Sequence, residues 1–440
     1  MKVVVRSLTD QTRRRLAALA SPSDRLWLAL LAGVVIVPRL VWIVAMPTVP
    51  FDDFAMYDIF ARRLVAGLGY VEKDGSPTAY WSVGYALFLA GIYKAVGHHY
   101  FAVKLVQTGL AVATALCVYL LALPFSKPVA RLAALGAALW PSLIGMTDLL
   151  ASENLFVPLF VLSVLLFGHI AEARPRAHPL LAGGVLGLAT LVRPVAAGLG
   201  VCALLFALFR RRDLPRTVGR LALAGAAAVL VVLPWSVRNL RQMGALVPVS
   251  TSGGLNLWMG NHHAATGGWV EPTSLRPVTA HLTEVQRDRF YRGLAWAYIR
   301  AHPLRVIALA PRKLWHFAAR DTVTVGWMHF DSLAAPRPLW LKYVLAGAAQ
   351  GYYVLGLLLA LCGLAWRVLR RPPGKWIALV CAYYVGVHLA LRGDARFHLP
   401  ILPLLAIFAA FAAATWAEQP AAAPAQRQPE AAPSAAAALE

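Results

Sequence analysis

Residues 50–57 read Pro50-Phe51-Asp52-Asp53-Phe54-Ala55-Met56-Tyr57, shortly after an apolar run at residues 26–46. A run of that length is long enough to cross a bilayer as one helix. The two carboxylates therefore lie within a few residues of a membrane face. Acidic residues so close to the hydrocarbon are costly and usually functional, so this stretch is predicted to carry the chemistry rather than to be a solvated loop.

The composition of the chain indicates a membrane protein. Of its 440 residues, 59% are hydrophobic and 14% are charged, and the mean hydropathy is +0.61. Repeated apolar runs of membrane length predict an all-α polytopic fold. The formal net charge of +22 is carried by Lys and Arg in short segments between these runs, which is the orientation signal of a bacterial inner-membrane protein. No nucleic-acid motif accompanies the charge, and we expect no nucleic-acid partner.

The basic segments predict the topology. Residues 1–25 are rich in Arg and are expected to be cytoplasmic, with the first apolar run as a retained signal anchor. The apolar segment 82–97 is at the lower limit for a span. If it crossed, the later basic loops would all lie outside, so we predict that it is a re-entrant or surface helix. These loops contain Lys127, Arg131, Arg174, Arg176, Arg210, Arg211, Arg212, Arg216, Arg220, Arg367, Arg370, Arg371 and Lys375.

The resulting architecture has about ten transmembrane helices. They are predicted at residues 26–46, 102–123, 129–147, 153–171, 179–193, 195–210, 218–235, 339–366, 376–391 and 397–416. Two large periplasmic loops, 47–101 and 236–338, interrupt the spans. The second is expected to contain amphipathic helices at 283–300 and 303–320 that lie on the membrane. Residues 26–416 thus form one membrane domain, and the Ala- and Pro-rich tail 417–440 is predicted to be disordered.

No functional site is predicted at the cysteines. Each lies in an apolar run and is predicted to be a small buried hydrophobe rather than a disulfide or metal ligand. They are Cys117, Cys202, Cys362 and Cys381.

Charged residues recur in the short segments on the predicted outer face. Asp148 and Glu153 lie in one turn, and Arg193 ends another span. Arg392 and Arg396 lie between the last two spans. Each residue alone could pair with a lipid headgroup or a neighbouring loop, but their shared face predicts one functional site together with Asp52 and Asp53.

The motifs resemble those of GT-C glycosyltransferases, in particular the protein O-mannosyltransferases and the lipid A aminoarabinose transferases. The first is Asp52-Asp53-x-x-x-Tyr57-x-x-x-Ala61-x-x-Leu64-x-x-Gly67-x-Gly69-Tyr70. Others are PTAYWSVGY at 77–85, ASENLF at 151–156, LVRP at 191–194, PWSVRN at 234–239, GNHHAATGG at 260–268 and RGDARFHLP at 392–400. Their order covers nearly the whole chain. The acidic-Lys-Pro-Pro segment of the aminoarabinose transferases is replaced by Ser76-Pro77-Thr78-Ala79.

The resemblance implies a polyprenyl-phosphate-linked sugar donor, a glycan, lipid or protein acceptor, and contact with membrane lipid. Transfer needs a base for the acceptor proton and cations for the developing phosphate charge. Asp53 is the predicted base in an inverting single displacement, with Asp52 as the second choice or the orienting residue. Arginine suits the phosphate because of its fork of donors. The candidates are Arg193, Arg238, Arg392 and Arg396.

Further residues are predicted to bind substrate. They are Tyr57, Tyr80, Glu153, Asn261, His262 and His263. A divalent metal is possible, with Asp52, Asp53 and His262 as its ligands, although no HxxxH-type spacing supports it. The sequence leaves the sugar, the acceptor and the metal requirement open.

A second class of function remains compatible with the sequence: a transporter or flippase of lipid-linked sugars. Such a protein would carry charges near the bilayer midplane and internal inverted repeats. Here the acids cluster at one predicted face, which favours the transferase.

The predicted topology can be tested by cysteine labelling. In a cysteine-free background, Lys127→Cys and Arg212→Cys are expected to react with a membrane-impermeant maleimide only after the membrane is opened, because both positions are predicted to be cytoplasmic. Ser76→Cys, in the first outer loop, should react in intact cells and serves as the control. Labelling of position 127 or 212 from outside would contradict the topology.

Overall fold

The computed structural model describes residues 21–172, 177–211, 213–328, 337–366 and 368–417. Several sequence-based expectations lie outside these residues. They concern the N-terminal segment 1–20, the tail 418–440, and the loop residues Arg174, Arg176, Arg212 and Arg367.

The described residues are helical, and they contain no β-strand apart from one isolated antiparallel bridge between Val71 and Pro77. The helices are α1 Pro22–Ala45, α2 Asp52–Val65, α3 Val83–Val96, α4 Tyr100–Ala122, α5 Lys127–Ala138, α6 Pro141–Met146, α7 Glu153–Gly168, α8 Ala177–Val192, α9 Leu199–Arg210, α10 Leu214–Met243, α11 Gly253–Gly260, α12 Arg276–Thr279, α13 Glu284–Ala301, α14 Pro303–Ala308, α15 Ala310–Ala318, α16 Val323–Gly326, α17 Leu339–Trp366, α18 Pro372–Ala390 and α19 Leu402–Ala417. Short 3₁₀ segments at Pro194–Gly198 and Ala395–Ile401 lead into α9 and α19.

Among the residues that the structure describes, five helical segments are long and apolar enough to cross a membrane: Pro22–Ala45, Tyr100–Ala122, Leu214–Met243, Leu339–Ala365 and Ala395–Ala417. The all-α polytopic membrane fold predicted from the sequence is confirmed. The number of ten spans, the orientation and the loop boundaries stay predictions.

One predicted span is not a continuous helix. The segment 129–147 is divided into α5 and α6 at Trp140, whose backbone is extended before Pro141. Proline disfavours a helical conformation in the residue before it and lacks the N–H that the helix would need. Composition alone did not reveal this break, because the residues on both sides are apolar.

Helix α3 corresponds to the segment predicted not to cross. Its 14 residues extend about 21 Å, whereas the hydrocarbon layer is about 30 Å thick. Tyr85 and Leu89 are fully buried within the bundle. At Gly84 the helix approaches the backbone of Leu191 in α8 so closely that a Cβ would lie 2.7 Å from its carbonyl carbon. Helix α3 is thus packed inside the protein, and its placement in the bilayer stays a prediction.

After α10, the described part of the predicted outer loop 236–338 contains α11 and α13. Helix α13 begins with a capping box, in which the Thr283 side chain accepts from the backbone of Gln286 and the Gln286 side chain accepts from the backbone of Thr283. The predicted helix at 303–320 is instead two short helices, α14 and α15, with Pro311 in the first turn of the second. Leu304, Ile307 and Trp315 are exposed on them, and contact with the membrane stays a prediction.

Close contact between α8 and α10 generates a prediction about stability. A Cβ on Gly183 would lie 2.0 Å from the carbonyl oxygen of Ala224, whereas a Cβ on the adjacent Gly184 would meet nothing within 4 Å. Small residues let helix backbones approach in membrane proteins, and overpacking costs about 1–3 kcal/mol. Gly183→Ala should therefore lower the unfolding temperature in detergent.

Gly184→Ala is the matched control for this measurement. It adds the same methyl group to the same helix, and alanine is the better helix former. We expect an unchanged or slightly higher unfolding temperature. Equal destabilisation by both variants would show that the α8–α10 contact is not responsible.

Candidate functional site

The acidic pair begins α2, where the helix dipole favours negative charge. Asp52 is exposed and has a φ of 44°, in the left-handed region that few residues other than glycine adopt. Asp53 follows with its side chain turned to the protein. The carboxylate of Asp52 is thus exposed, whereas that of the neighbouring Asp53 faces the protein.

Asp53 is held at both carboxylate oxygens. The indole N–H of Trp81 donates to Oδ1 at 3.1 Å, and Nη1 of Arg396 lies 3.1 Å from Oδ2. The Asp53 side chain is nevertheless 50% exposed. A fixed carboxylate that still faces open space can accept a proton from a bound molecule, since each oxygen carries two lone pairs.

Glu153 connects the two arginines predicted to bind phosphate. Its side chain is 1% exposed. Arg193 Nη2 lies 2.6 Å from Oε1, while Arg396 binds the same carboxylate with Nε and Nη2, the latter at 3.0 Å from Oε2. Arg193 also donates to the hydroxyl of Ser152. The structure therefore brings Asp53, Arg396, Glu153 and Arg193 into one chain of ion pairs, which we call the charge cluster.

Aromatic rings enclose the arginines. The guanidinium carbon of Arg396 lies 5.3 Å from the ring centroid of Phe54 and 5.2 Å from that of Trp327. These distances suit cation–π attraction and keep the guanidinium away from bulk water.

Arg392 lies in a separate group of contacts. It donates to Asp394 at 2.7 Å and to the amide oxygen of Asn256 at 3.1 Å. Its guanidinium carbon is 4.8 Å from the ring centroids of both Trp269 and Phe397. Its charge is thus already paired within the protein.

The two predicted substrate tyrosines contact the same region. Tyr57 is buried and meets Tyr85 edge-on at a centroid distance of 5.2 Å. Tyr80 is half-buried against Trp81 at 4.6 Å. Burial raises the pKa of Tyr57 and raises that of Tyr80 to about 12. Both phenols are therefore neutral near pH 7 and can donate a hydrogen bond but cannot act as bases.

Two other residues, which were predicted to bind the donor phosphate or the substrate, make hydrogen bonds within the protein. Arg238 donates to the backbone carbonyls of Tyr70 and Thr78 and stacks over Trp235 at 4.8 Å. The buried Asn261 donates to the carbonyl of Ala390. These contacts join the outer loops to the bundle, and the roles predicted for these side chains in substrate binding stay untested.

Asn261 also reveals a buried cation that the sequence analysis did not include. The ammonium of Lys313 donates to its amide oxygen at 2.9 Å, and Lys313 is fully buried. Burial lowers the pKa of this lysine to about 8. Because Lys313 lies in a basic amphipathic segment, the sequence did not indicate that its side chain would be buried.

The two histidines differ in exposure. His262 stacks on Trp258 at a centroid distance of 4.2 Å, and its Nδ1 lies 3.0 Å from the carbonyl of Trp258. Burial lowers the pKa of His262, which favours the neutral ring. His263 is exposed, and its backbone carbonyl accepts from Arg305.

The predicted metal ligands do not converge. No group of three or more His, Cys, Asp or Glu side chains with the geometry to hold a metal occurs among the residues whose positions are described. Asp52 and Asp53 point apart, and His262 is stacked on Trp258. The residues present do not fit the suggested metal, and no step is derived through one.

Trp81 and Glu284 are site residues that the sequence analysis left without a role. Trp81 belonged to a quoted motif, but nothing in the motif showed that its N–H would meet Asp53. Glu284 accepts from the Thr78 hydroxyl at 2.6 Å, the backbone N–H of Ala79 at 2.9 Å and the Thr251 hydroxyl at 2.6 Å. It thereby joins the two outer loops, a long-range contact without a local sequence signal.

Sequence comparison gives one family match. Residues 82–237 match the model of the dolichyl-phosphate-mannose-protein mannosyltransferase family. This segment contains Glu153 and Arg193. No protein of curated function matches the sequence.

Comparison of folds gives similar solved structures. The Archaeoglobus fulgidus oligosaccharyltransferase in the apo form has 14% identity and a TM-score of 0.55, with 90% of this chain and 51% of that chain covered. The same enzyme tethered to an acceptor peptide containing the NVT sequon has 14% identity and a TM-score of 0.52, covering 89% and 50%. ArnT from Cupriavidus metallidurans bound to undecaprenyl phosphate has 14% identity and a TM-score of 0.44, covering 90% and 79%.

The family match and the two oligosaccharyltransferase structures confirm the GT-C resemblance expected from the sequence. The chain is a membrane protein with the GT-C fold, and it spans about half the length of the oligosaccharyltransferase that it matches. At this level of identity the likeness concerns the fold.

The charge cluster predicts that removal of the Glu153 carboxylate strongly lowers the stability of the protein. Glu153→Ala would leave Arg193 and Arg396 without their shared buried partner, and breaking a buried pair typically costs about 3–5 kcal/mol. Thermal unfolding in detergent should show a clear decrease in the midpoint. The control is Asp213→Asn, which removes an exposed pair with Arg216 worth about 0–1 kcal/mol. Similar midpoints for the two variants would contradict the central role of Glu153.

Proposed function

We propose that this protein is a glycosyltransferase that moves a sugar from a polyprenyl-phosphate donor to an acceptor at the periplasmic face. The observation that carries the proposal is the half-exposed carboxylate of Asp53, held by Trp81 and by an arginine of the charge cluster. A fixed base beside paired cations supplies the two elements that sugar transfer from a phosphate requires.

Asp53 is the general base in this mechanism. Trp81 and Arg396 fix the orientation of its carboxylate while leaving lone pairs for the acceptor hydroxyl or amine. The acceptor attacks the anomeric carbon as its proton moves to Asp53, and the bond to the phosphate breaks on the opposite side. A single displacement of this kind inverts the anomeric centre.

The charge cluster links proton transfer to departure of the phosphate. Asp53 and Glu153 carry two negative charges, and Arg193 and Arg396 carry two positive charges, so the resting cluster is neutral. When Asp53 takes up the proton, the cluster gains one positive charge. That charge arises as the leaving phosphate becomes more negative, and it stabilises the phosphate.

Two findings support the donor class. The family matched at residues 82–237 is described by a dolichyl-phosphate-linked sugar, which is a polyprenyl-phosphate donor. The chain also has several helices that can span a membrane, where such a lipid resides. The location in the inner membrane and the outward orientation of the site rest on the distribution of basic residues.

The base can be tested by Asp53→Asn. Asparagine keeps the shape and the acceptor oxygen for Trp81 but loses the basic carboxylate. Transfer of labelled sugar from a polyprenyl-phosphate donor in detergent should fall about 10²–10⁴-fold, the usual contribution of a positioned base, while donor binding persists.

Asp52→Asn is the matched control, because the neighbouring carboxylate is exposed and points elsewhere. Its turnover should change far less. A larger loss for Asp52→Asn would move the base to Asp52. Full activity in both variants would exclude the acidic pair from catalysis, and movement of the donor across vesicles without sugar transfer would favour a flippase.

A further inference from the structure

A large cavity lies between the two outer loops, beside the charge cluster. Its volume is about 1030 Å³, at the upper end of the range for small-molecule sites. Residues 72–81 form one wall, and residues from 242 to 291 form the other. Aromatic side chains lie on both walls: Tyr80, Trp81, Trp269 and Tyr291.

The cavity adjoins the proposed site at Trp81. Trp81 lines the cavity and donates its indole N–H to Asp53. Trp269 lines the opposite wall and stacks against the guanidinium of Arg392. A molecule in this space would therefore contact Trp81, whose indole N–H is bonded to Asp53.

The cavity wall is acidic although the protein is strongly basic. Five carboxylates line it, against two arginines, in a chain with a net charge of +22. Burial raises the pKa of Glu72, and the negative charge of the nearby Glu284 raises it further. Carboxylates only accept hydrogen bonds, and they attract cations and repel anions.

Three of the carboxylates have structural partners, and one of these is Glu271, which forms an ion pair with Arg276. Glu284 accepts from three groups on the outer loops, and Asp288 accepts from the backbone N–H of Gly254 and pairs with Arg292. Glu72 and Asp74 lie on the opposite wall, and the Asp74 contacts remain within its own turn, with Ser76. The latter two acids can therefore be changed without separating the loops.

We propose that this cavity binds the acceptor of the transfer reaction, and that the acceptor is a saccharide without anionic groups, either uncharged or amine-bearing. The assignment rests on the proposed function. Aromatic faces pack against the apolar side of sugar rings, and carboxylates accept from their hydroxyl or ammonium groups. The acceptor oxygen forms the new bond to the anomeric carbon, its proton passes to Asp53, and the electron pair of the broken bond leaves on the donor phosphate.

A peptide acceptor fits this space less well. Extended peptides are commonly held by pairing with an exposed strand edge. Within the part of the chain that the structure describes, the only backbone pairing of strand type is the isolated bridge between Val71 and Pro77. The cavity instead offers rings and carboxylates, which are side-chain features suited to sugars.

The first experiment identifies the chemical class of the product. The full chain in detergent is incubated with a labelled polyprenyl-phosphate hexose and with cell-envelope extract separated into uncharged and cationic saccharides, anionic glycans and glycolipids, and proteins. We expect label in the uncharged and cationic saccharides. Label mainly in anionic or protein fractions, while the donor is consumed, would overturn the cavity assignment alone. Failure of any sugar to leave the lipid would overturn the proposed function, and this inference with it.

The second experiment locates the binding. The double variant Glu72→Gln/Asp74→Asn removes two negative charges from the wall. It should reduce kcat/KM for an amine-bearing acceptor fraction about tenfold, with a much smaller effect on an uncharged fraction and an unchanged KM for the donor.

Asp213→Asn is the control, because it removes an acid that does not line the cavity. It should behave as the unmodified protein with both acceptor fractions. Unchanged kinetics of the double variant with the amine-bearing fraction would show that the acceptor binds elsewhere. If kcat/KM of the double variant fell equally with the amine-bearing and the uncharged fractions, the acids of the cavity wall would not act through their charge.

Discussion

The site depends on one buried carboxylate, Glu153, which lies between two guanidiniums. Removing charges from water is expensive, and the cost is recovered only when each charge has well-placed partners. Arg193 and Arg396 supply these partners from segments about 40 and 240 residues away along the chain. The cluster therefore forms only when α7, the end of α8 and the segment before α19 are packed together. Folding of the bundle and assembly of the charged site are the same event.

The outer loops determine the position of the reactive carboxylate. Glu284 accepts from the hydroxyl of Thr78 and from the backbone N–H of Ala79, two residues before Trp81, and also from the hydroxyl of Thr251. Trp81 in turn binds Asp53. A contact between the two loops is thus linked to the proposed base by residues 79–81 and by the hydrogen bond from Trp81. Glu284 and Thr251 also line the acidic cavity, so the proposed acceptor site and the proposed base share one structural element.

Prediction from the sequence worked for those residues whose type has few physical roles near a membrane. The all-α membrane fold followed from the apolar runs, and the placement of Asp53, Glu153, Arg193 and Arg396 in one cluster agrees with their predicted common face. The direction of each side chain was not available from the pattern. Arg238 and Arg396 were both predicted to bind the donor phosphate. The guanidinium of Arg238, however, donates to backbone carbonyls. Likewise, the break at Pro141 divided a segment whose hydropathy predicted one span.

The two neighbouring aspartates show why the backbone must be known before chemistry is assigned. Both lie in the first turn of the same helix, and both would benefit from its dipole. Because Asp52 has a left-handed φ, the chain turns sharply there, leaving its side chain exposed while Asp53 reaches Trp81 and Arg396. Such conformations are costly for a residue with a side chain and persist only when the surrounding contacts maintain them. Here the strained residue directly precedes the proposed base, whose carboxylate is held by Trp81 and Arg396.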